Sequence, residues 1–252
     1  MRLEGKRIVI TRPEAQAQEF VDLLRQAGAF PIIFPTIQIA PLMDNKRLDL
    51  ALTRLANYDW IIFTSANGVR VACDRLQMLG QPVSLLSKCQ IAVIGPATAA
   101  TLSSYGLRVA LQPEEYIAES IFEVLLEQGS IAGKRFLLLR ADIARATLRE
   151  QLVANGAMVD EIPVYRTVRG EPDLAAYAQL RSGVDIITFT SSSTVRFFFE
   201  LLGVEAQKVA GKAVIACIGP ITAQTARSLG LNVDIVADEY TVTGLISALV
   251  GV

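Results

Sequence analysis

An internal repeat constrains this chain more than any other feature of its sequence. Residues 94–109 share ten of their sixteen positions with residues 218–233, without a gap. Upstream of each copy, residues 59–70 and 185–196 match at seven of twelve positions. The chain therefore contains two copies of one unit, about 125 residues apart, and a repeat of that length predicts two domains rather than one.

Short apolar, β-branched runs alternate with segments of helical periodicity along the chain. Strands are predicted at 7–11, 60–65, 91–94, 109–111, 134–139, 185–191 and 214–218, with extended ribbons at 30–41 and 160–168. Helices are predicted at 14–27, 48–57, 66–80, 96–105, 117–128, 144–154, 220–229 and 242–250. This alternation indicates an α/β fold with two parallel-sheet domains of the flavodoxin or Rossmann type, which bind ligands beyond the carboxyl ends of their strands.

Composition and charge exclude several classes of function. The net charge of −1 argues against a general nucleic-acid surface, and the absence of histidine removes the commonest general base and metal ligand. Three well-separated cysteines predict buried free thiols in a reducing compartment. No apolar run is long enough to span a bilayer, and no signal peptide is visible. We therefore expect a cytoplasmic protein with no metal and no membrane partner.

Polar residues cluster where predicted strands turn into helices. The clusters lie at 11–12, 64–67, 95–98, 140–142, 191–194 and 219–222. Free main-chain N–H groups and hydroxyls at a helix start can bind an anion. The alternative for each cluster is ordinary helix capping. Six such turns in matching pairs favour a site for a polyanion.

The ordered set of these turns resembles the uroporphyrinogen-III synthase family over nearly the whole chain. The resemblance rests on TRP at 11–13, FTSANGV at 63–69, IGPATAATLSSYGL at 94–107, VYRTV at 164–168, FTSSSTV at 189–195 and IGPITAQTARSLGL at 218–231. Each motif alone is unspecific, and their order along the chain carries the resemblance.

The resemblance implies a discontinuous division of the chain. Domain one is expected at 1–35 and 167–252, domain two at 39–163, and a two-stranded extended linker at 36–38 and 164–166. The sequence agrees with this division, because residues 5–40 resemble 133–168 and share Gly-Lys-Arg followed by a turn arginine, Arg12 or Arg140. Each of these two segments is expected to leave one domain and enter the other.

The activity that the resemblance implies belongs to tetrapyrrole biosynthesis. Hydroxymethylbilane, a linear tetrapyrrole with eight carboxylates, loses its terminal hydroxyl as water and closes to uroporphyrinogen III, with ring D inverted through a spiro intermediate. Such a reaction depends on positioning and exclusion of water, so no cofactor is expected. The resemblance also implies a monomer that receives its substrate by transient hand-over from hydroxymethylbilane synthase.

Individual residues take expected roles from the resemblance. Tyr165 matches a linker tyrosine that can donate a proton to the departing hydroxyl, and the alternative is simple packing on a strand. Thr98 and Thr222 are expected to contact carboxylates, and the alternative is a hydroxyl bonded back to its own helix. Arg12 and Arg140 are expected to pair with carboxylates, although Arg140 could equally be a solvated surface arginine. The remaining expected substrate-binding residues are Thr11, Thr64, Ser65, Asn67, Gly95, Ser191, Ser192, Ser193, Gly219 and Pro220.

Two other functions are compatible with a pair of α/β domains. One is a non-catalytic two-lobed regulatory module that binds a tetrapyrrole or another anion. The other is a nucleotide-dependent transferase, which the lack of GxxxxGK[ST] and of GxGxxG after a strand disfavours.

Overall fold

The computed structural model describes residues 3–115, 118–144 and 146–251, in which strands and helices alternate. The strands are β1 (Arg7–Ile10), β2 (Phe30–Ile33), β3 (Ile37–Pro41), β4 (Trp60–Phe63), β5 (Gln90–Val93), β6 (Arg135–Ala141), β7 (Met158–Arg169), β8 (Ile186–Phe189), β9 (Val214–Cys217) and β10 (Ile235–Val236). The α-helices are α1 (Gln18–Gln26), α2 (Lys46–Thr53), α3 (Ala66–Met78), α4 (Pro96–Ser104), α5 (Ala118–Glu127), α6 (Thr147–Ala154), α7 (Leu174–Arg181), α8 (Ser192–Leu202), α9 (Glu205–Ala210), α10 (Pro220–Ser228) and α11 (Val242–Gly251). Short 3-10 helices occupy Glu14–Gln16, Leu55–Asn57 and Val83–Lys88.

The strands form two five-stranded sheets, in the orders β10-β9-β8-β1-β2 and β3-β7-β6-β4-β5. In the first sheet all neighbouring strands are parallel. In the second, β4 is parallel to β5 and β6, and β6 is parallel to β7. The predicted α/β fold with two parallel sheets is thus confirmed.

The chain divides into two compact units, which we call unit 1 and unit 2. Unit 1 comprises residues 1–39 and 167–252, and unit 2 comprises residues 40–166. Both boundaries fall inside strands, one in β3 and the other in β7. The segments 37–38 and 164–166, expected as linkers, therefore belong to paired strands.

In each unit, an aspartate at an equivalent position of the repeat joins the starts of two neighbouring strands. The Asp185 carboxylate accepts a hydrogen bond from the main-chain N–H of Arg7 at 2.8 Å, which joins the starts of β8 and β1. The Asp59 carboxylate accepts one from the N–H of Arg135 at 2.7 Å, which joins the starts of β4 and β6. The repeated Gly-Lys-Arg and Asp-x-Ile-x-Phe-Thr-Ser motifs therefore lie side by side in each unit.

Alternate residues of β1 pack on opposite faces of the sheet in unit 1. Ile8 and Ile10 join a buried cluster with Phe20 of α1, whereas Val9 joins a cluster on the other face with Phe198 of α8. A strand covered on both faces is apolar at every position, which explains the continuous run in the sequence. Burying each such side chain contributes about 2 kcal/mol.

The core of unit 2 follows the same logic. Trp60 and Phe136, which are register partners in β4 and β6, stack with ring centroids 6.5 Å apart. Leu148 of α6 and Ile121 of α5 pack in the same buried cluster. These contacts hold two helices on one face of the sheet.

Several elements differ from the sequence prediction. The ribbon 30–41 divides into β2, an edge strand of the first sheet, and β3. The predicted strand 109–111 reduces to a single bridge between Leu111 and Ala92. Helix α6 begins at Thr147 rather than 144, and α7, α9 and β10 were not predicted. For α8, the sequence predicted only the turn at its start, 191–194. Residue 117, the predicted start of α5, lies outside the described residues.

The three cysteines are buried and free, as predicted. Burial raises the pKa of Cys73 to about 12, that of Cys89 to about 11 and that of Cys217 to about 12. Their thiols are consequently protonated at neutral pH. Within the described ranges, none of the helices combines the length and the apolar character needed to cross a membrane.

Candidate functional site

A helix cap positions the candidate residues that follow β4. Ser65 is the N-cap of α3, and its Oγ accepts a hydrogen bond from the N–H of Gly68 at 3.3 Å. Asn67, one of the expected substrate-binding residues, lies in the first turn, where its Oδ1 accepts a bond from Arg70 at 3.3 Å. Thr64 is half-buried between the strand and this cap. Ser65 is therefore a cap, but its hydroxyl also has a second neighbour.

That neighbour is Tyr165, which a change of register in β7 orients. Arg140 of β6 pairs with Pro163, whereas the next residue, Ala141, pairs with Tyr165, so one residue of β7 is passed over. A bulge of this kind redirects the side chains that follow it. The Tyr165 side chain is only 6% exposed, and its hydroxyl lies 2.9 Å from the Oγ of Ser65.

The surroundings of Tyr165 keep its hydroxyl protonated. Burial raises the pKa of Tyr165, hydrogen bonds with Ser65 and Asn67 oppose that rise, and the Asp142 carboxylate adds to it. Asp142 is held in place because its N–H donates to the Tyr165 carbonyl at 3.1 Å, and its carboxylate lies 3.8 Å from Arg166. A neutral phenol ending among polar groups can act as a proton donor.

Arg140 is buried at the end of β6 and bound to an acidic partner. Its side chain is 3% exposed, and its Nε donates to the Oε1 of Glu161 at 2.6 Å. Glu161 also contacts Arg149 at 3.5 Å. Arg140 is therefore not a solvated surface arginine, and Glu161 holds its guanidinium near the end of the sheet.

Each copy of the IGPxTAxT motif contains two threonines, and the first differs from the second in its surroundings. Thr98 and Thr222 are each 5% exposed. The bond back to the helix backbone, which was the alternative for them, is instead made one turn later. There, Thr101 Oγ1 donates to the Ala97 carbonyl at 2.9 Å, and Thr225 Oγ1 donates to the Ile221 carbonyl at 3.0 Å.

Glycines cap the helices that follow β5 and β9. Gly95 and Gly219 are the N-caps of α4 and α10, and Pro96 and Pro220 occupy the first helical positions. A Cβ atom at Gly219 would lie 3.1 Å from the ring of Tyr240. The missing side chain at Gly219 thus makes room for an aromatic ring of the same unit.

Hydroxyl groups of α8 and α10 form a connected group in unit 1. Ser191 and Thr194 form a capping box, with hydrogen bonds of 3.2 and 3.3 Å between each side chain and the other residue's N–H. The Oγ atoms of Ser191 and Ser193 lie 2.9 Å apart. The Oγ of Ser192 lies within hydrogen-bond distance of Thr225 Oγ1, at 2.8 Å.

Thr11 forms buried hydrogen bonds that join segments of unit 1. It is fully buried, and its hydroxyl donates to the Thr188 carbonyl at 2.7 Å, which joins β1 to β8. Its own carbonyl accepts a bond from the hydroxyl of Thr36 at 3.1 Å. Arg12, the next residue, is half-buried.

The structure brings the predicted residues together as two groups, one in each unit. Unit 2 joins Ser65, Asn67 and Tyr165 directly. In unit 1, Ser191 contacts Ser193, and Ser192 contacts Thr225 of α10. Sequence reasoning missed Glu161 and Thr225. Thr225 had a signal, because it recurs in the repeated motif, but Glu161 had none.

Comparisons with known proteins identify a family that this sequence matches. A family model described as uroporphyrinogen-III synthase HemD matches residues 18–247. The uroporphyrinogen-III synthase of Synechococcus elongatus is 38% identical over 255 residues, which cover 98% of this chain and 95% of that protein. A putative uroporphyrinogen-III synthase of Methanocaldococcus jannaschii is 32% identical, covering 96% of this chain and 97% of that protein.

Solved structures share the fold. A mutant uroporphyrinogen III synthase of Thermus thermophilus has a TM-score of 0.67 at 20% identity, covering 98% of this chain and 97% of that one. A uroporphyrinogen-III synthetase of Helicobacter pylori has a TM-score of 0.60 at 17% identity, covering 98% and 99%. Because the family model spans most of the sequence and the relatives match it along nearly its whole length, the chain belongs to the uroporphyrinogen-III synthase family.

Proposed function

We propose that this protein cyclises hydroxymethylbilane to uroporphyrinogen III, with inversion of ring D. Membership of the family supports the reaction, as does the 38% identity to a relative named for it. The observation that carries the proposal is the Tyr165 hydroxyl, held 2.9 Å from Ser65 at the carboxyl end of a parallel sheet.

Tyr165 is the proposed proton donor in the first chemical step. The terminal C–O bond of hydroxymethylbilane breaks, and the phenol gives its proton to the departing hydroxyl, which leaves as water. The resulting azafulvene is attacked by the substituted carbon of ring D, and the spiro intermediate then fragments and recloses with ring D inverted. Burial and the Asp142 carboxylate favour the protonated phenol, as a general acid requires.

The substrate's carboxylates are proposed to bind at the starts of helices. There, hydroxyls and the first main-chain N–H groups supply donors that do not depend on side-chain charge. The residues proposed for this role are Thr11, Arg12, Thr64, Ser65, Asn67, Gly95, Thr98, Arg140, Ser191, Ser192, Ser193, Gly219, Pro220 and Thr222. Two of these residues already have partners within the protein. The Thr11 hydroxyl donates to the Thr188 carbonyl, and Arg140 is paired with Glu161.

The finer organisation is proposed from the same family resemblance. Domain one is 1–35 with 167–252, domain two is 39–163, and the linkers are 36–38 and 164–166. The protein is proposed to act as a cytoplasmic monomer without cofactor, and to take its substrate from hydroxymethylbilane synthase. Neither nucleic acid nor membrane is a proposed partner.

The test uses freshly prepared hydroxymethylbilane with and without the protein. Products are oxidised, and the type I and type III isomers are resolved by chromatography. An excess of type III over the protein-free reaction is the expected result. Type I alone, together with measurable binding of hydroxymethylbilane, would instead identify a non-catalytic binding module.

A further inference from the structure

A second polar depression in unit 2 lies at the amino ends of the strands, opposite the ends that carry Tyr165. Tyr58 precedes β4 by two residues, Arg135 opens β6, and Asp160 lies near the start of β7. Because these strands are parallel, the three residues share one edge of the sheet. With Arg47 and Arg54 from the α2 region, they line a cavity of about 220 Å³ that we call the arginine pocket.

The arginine pocket carries an excess of positive charge. Its lining contains three guanidinium groups and one carboxylate, that of Asp160. Asp160 accepts a hydrogen bond from the hydroxyl of Tyr58 at 2.7 Å and lies 3.5 Å from Arg135. Arg47 donates to the main-chain carbonyl of Glu161 at 3.0 Å, which leaves its charge uncompensated. Among the described residues, no carboxylate forms an ion pair with Arg47 or Arg54.

Arg135 and Arg54 line the cavity together with Tyr58. The Cζ of Arg135 lies 5.5 Å from the centre of the Tyr58 ring. Burial, with the hydrogen bond to Asp160, raises the pKa of Tyr58 to about 12, and the charges of Arg135 and Arg54 oppose that rise.

We propose that the arginine pocket binds a small oxyanion that carries two negative charges. Guanidinium groups hold phosphate and carboxylate oxygens with paired N–H donors in a fixed geometry. Leu50 and Ile162 line the same cavity. The site is distinct from the proposed substrate site, which lies at the other ends of the strands.

Binding of inorganic phosphate, measured by isothermal titration calorimetry at constant ionic strength, tests this proposal. Arg54→Gln is the main variant, because the Arg54 side chain is exposed and its replacement leaves the core intact. Losing one charge-assisted contact should weaken phosphate binding about tenfold. Arg25→Gln, which changes an exposed arginine of α1 in unit 1, is the matched control and should bind phosphate like the unmodified protein.

A parallel titration with malonate distinguishes the two sources of oxyanion. Tighter binding of phosphate assigns the arginine pocket to phosphate or a phosphate monoester, and tighter binding of malonate assigns it to a dicarboxylate. In both cases Arg54→Gln must weaken the interaction while Arg25→Gln does not. Absence of binding by both anions, or equal affinities for Arg54→Gln and the unmodified protein, overturns the proposal.

Discussion

Replacing Tyr165 by phenylalanine tests the proposed mechanism most directly. The ring is buried, so phenylalanine keeps its packing and removes only the hydroxyl that lies 2.9 Å from Ser65. The hydroxyl also bonds with Asn67, and each hydrogen bond lost in the interior costs about 1 kcal/mol of unfolding free energy. Ser65 retains its bond to the N–H of Gly68, so the cap of α3 remains. A domain stable by roughly 5–15 kcal/mol stays fully folded after such a loss.

The expected effect on turnover is much larger than the effect on folding. Loss of a positioned general acid slows a reaction by about 100-fold or more, which corresponds to about 2.7 kcal/mol of activation free energy. Since hydroxymethylbilane also closes without an enzyme, the slow variant should yield a product mixture shifted towards the type I isomer.

The assay compares initial rates of type III formation and the ratio of the two isomers. Tyr177→Phe is the control, because Tyr177 packs edge-on against Phe34 within unit 1 and is not one of the residues proposed to act on the substrate. It should keep the rate and isomer ratio of the unmodified protein. If Tyr165→Phe also keeps both while its urea denaturation shows a folded protein, Tyr165 is not the proton donor.

Three further predictions concern stability. Thr36→Val removes a fully buried hydroxyl whose single hydrogen lies between two carbonyl oxygens, at 3.1 and 3.0 Å from Oγ1, and should lower the unfolding free energy in urea by about 1–3 kcal/mol. Gly170→Ala would place a Cβ 2.0 Å from the carbonyl oxygen of Pro35, so the main chain must move, and the expected loss in urea denaturation is about 3 kcal/mol. Because burial raises the pKa of Cys73 and Cys217 from 9.0 to about 12, their thiols ionise first in the unfolded chain, and the unfolding free energy should fall as pH rises from 9 to 12.

Each of these predictions has a clear contrary result. A Thr36→Val protein as stable as the original would mean that its two carbonyl partners find other donors. An unperturbed melting temperature for Gly170→Ala would contradict the close approach of the two main-chain segments. For the thiols, Cys217→Ala should flatten the alkaline slope, and an unchanged slope would assign it to other groups.

The regular elements were largely predictable because both faces of each sheet are covered. Strands such as β1 and β4 are buried at nearly every position, and this produces the apolar runs seen in the sequence. Helix α7 escaped prediction because its first residue, Leu174, is 88% exposed and only Ala176 and Leu180 are buried. Two small or widely spaced contacts do not produce a clear helical period.

The site was predictable to the extent that it depends on local sequence. Ser65 and Ser191 cap their helices because a hydroxyl at that position satisfies an N–H a few residues later. The orientation of Tyr165 instead depends on a one-residue change of register between two strands, and the pairing of Arg140 with Glu161 depends on the same alignment. Register between separate strands has no signature within either strand alone.

The interleaved path of the chain has a consequence for how the protein is made. All the strands that flank β4 and β6 in unit 2 are present once residue 169 has been synthesised. In unit 1, by contrast, the contact between Arg7 and Asp185 spans 178 positions. Strand β1 therefore waits for its neighbour β8 until residue 189 has been synthesised, and late closure of so long a loop makes unit 1 the slower half to mature. A polypeptide truncated at residue 170 and released from the ribosome should consequently protect its middle from protease while residues 7–33 are still cut.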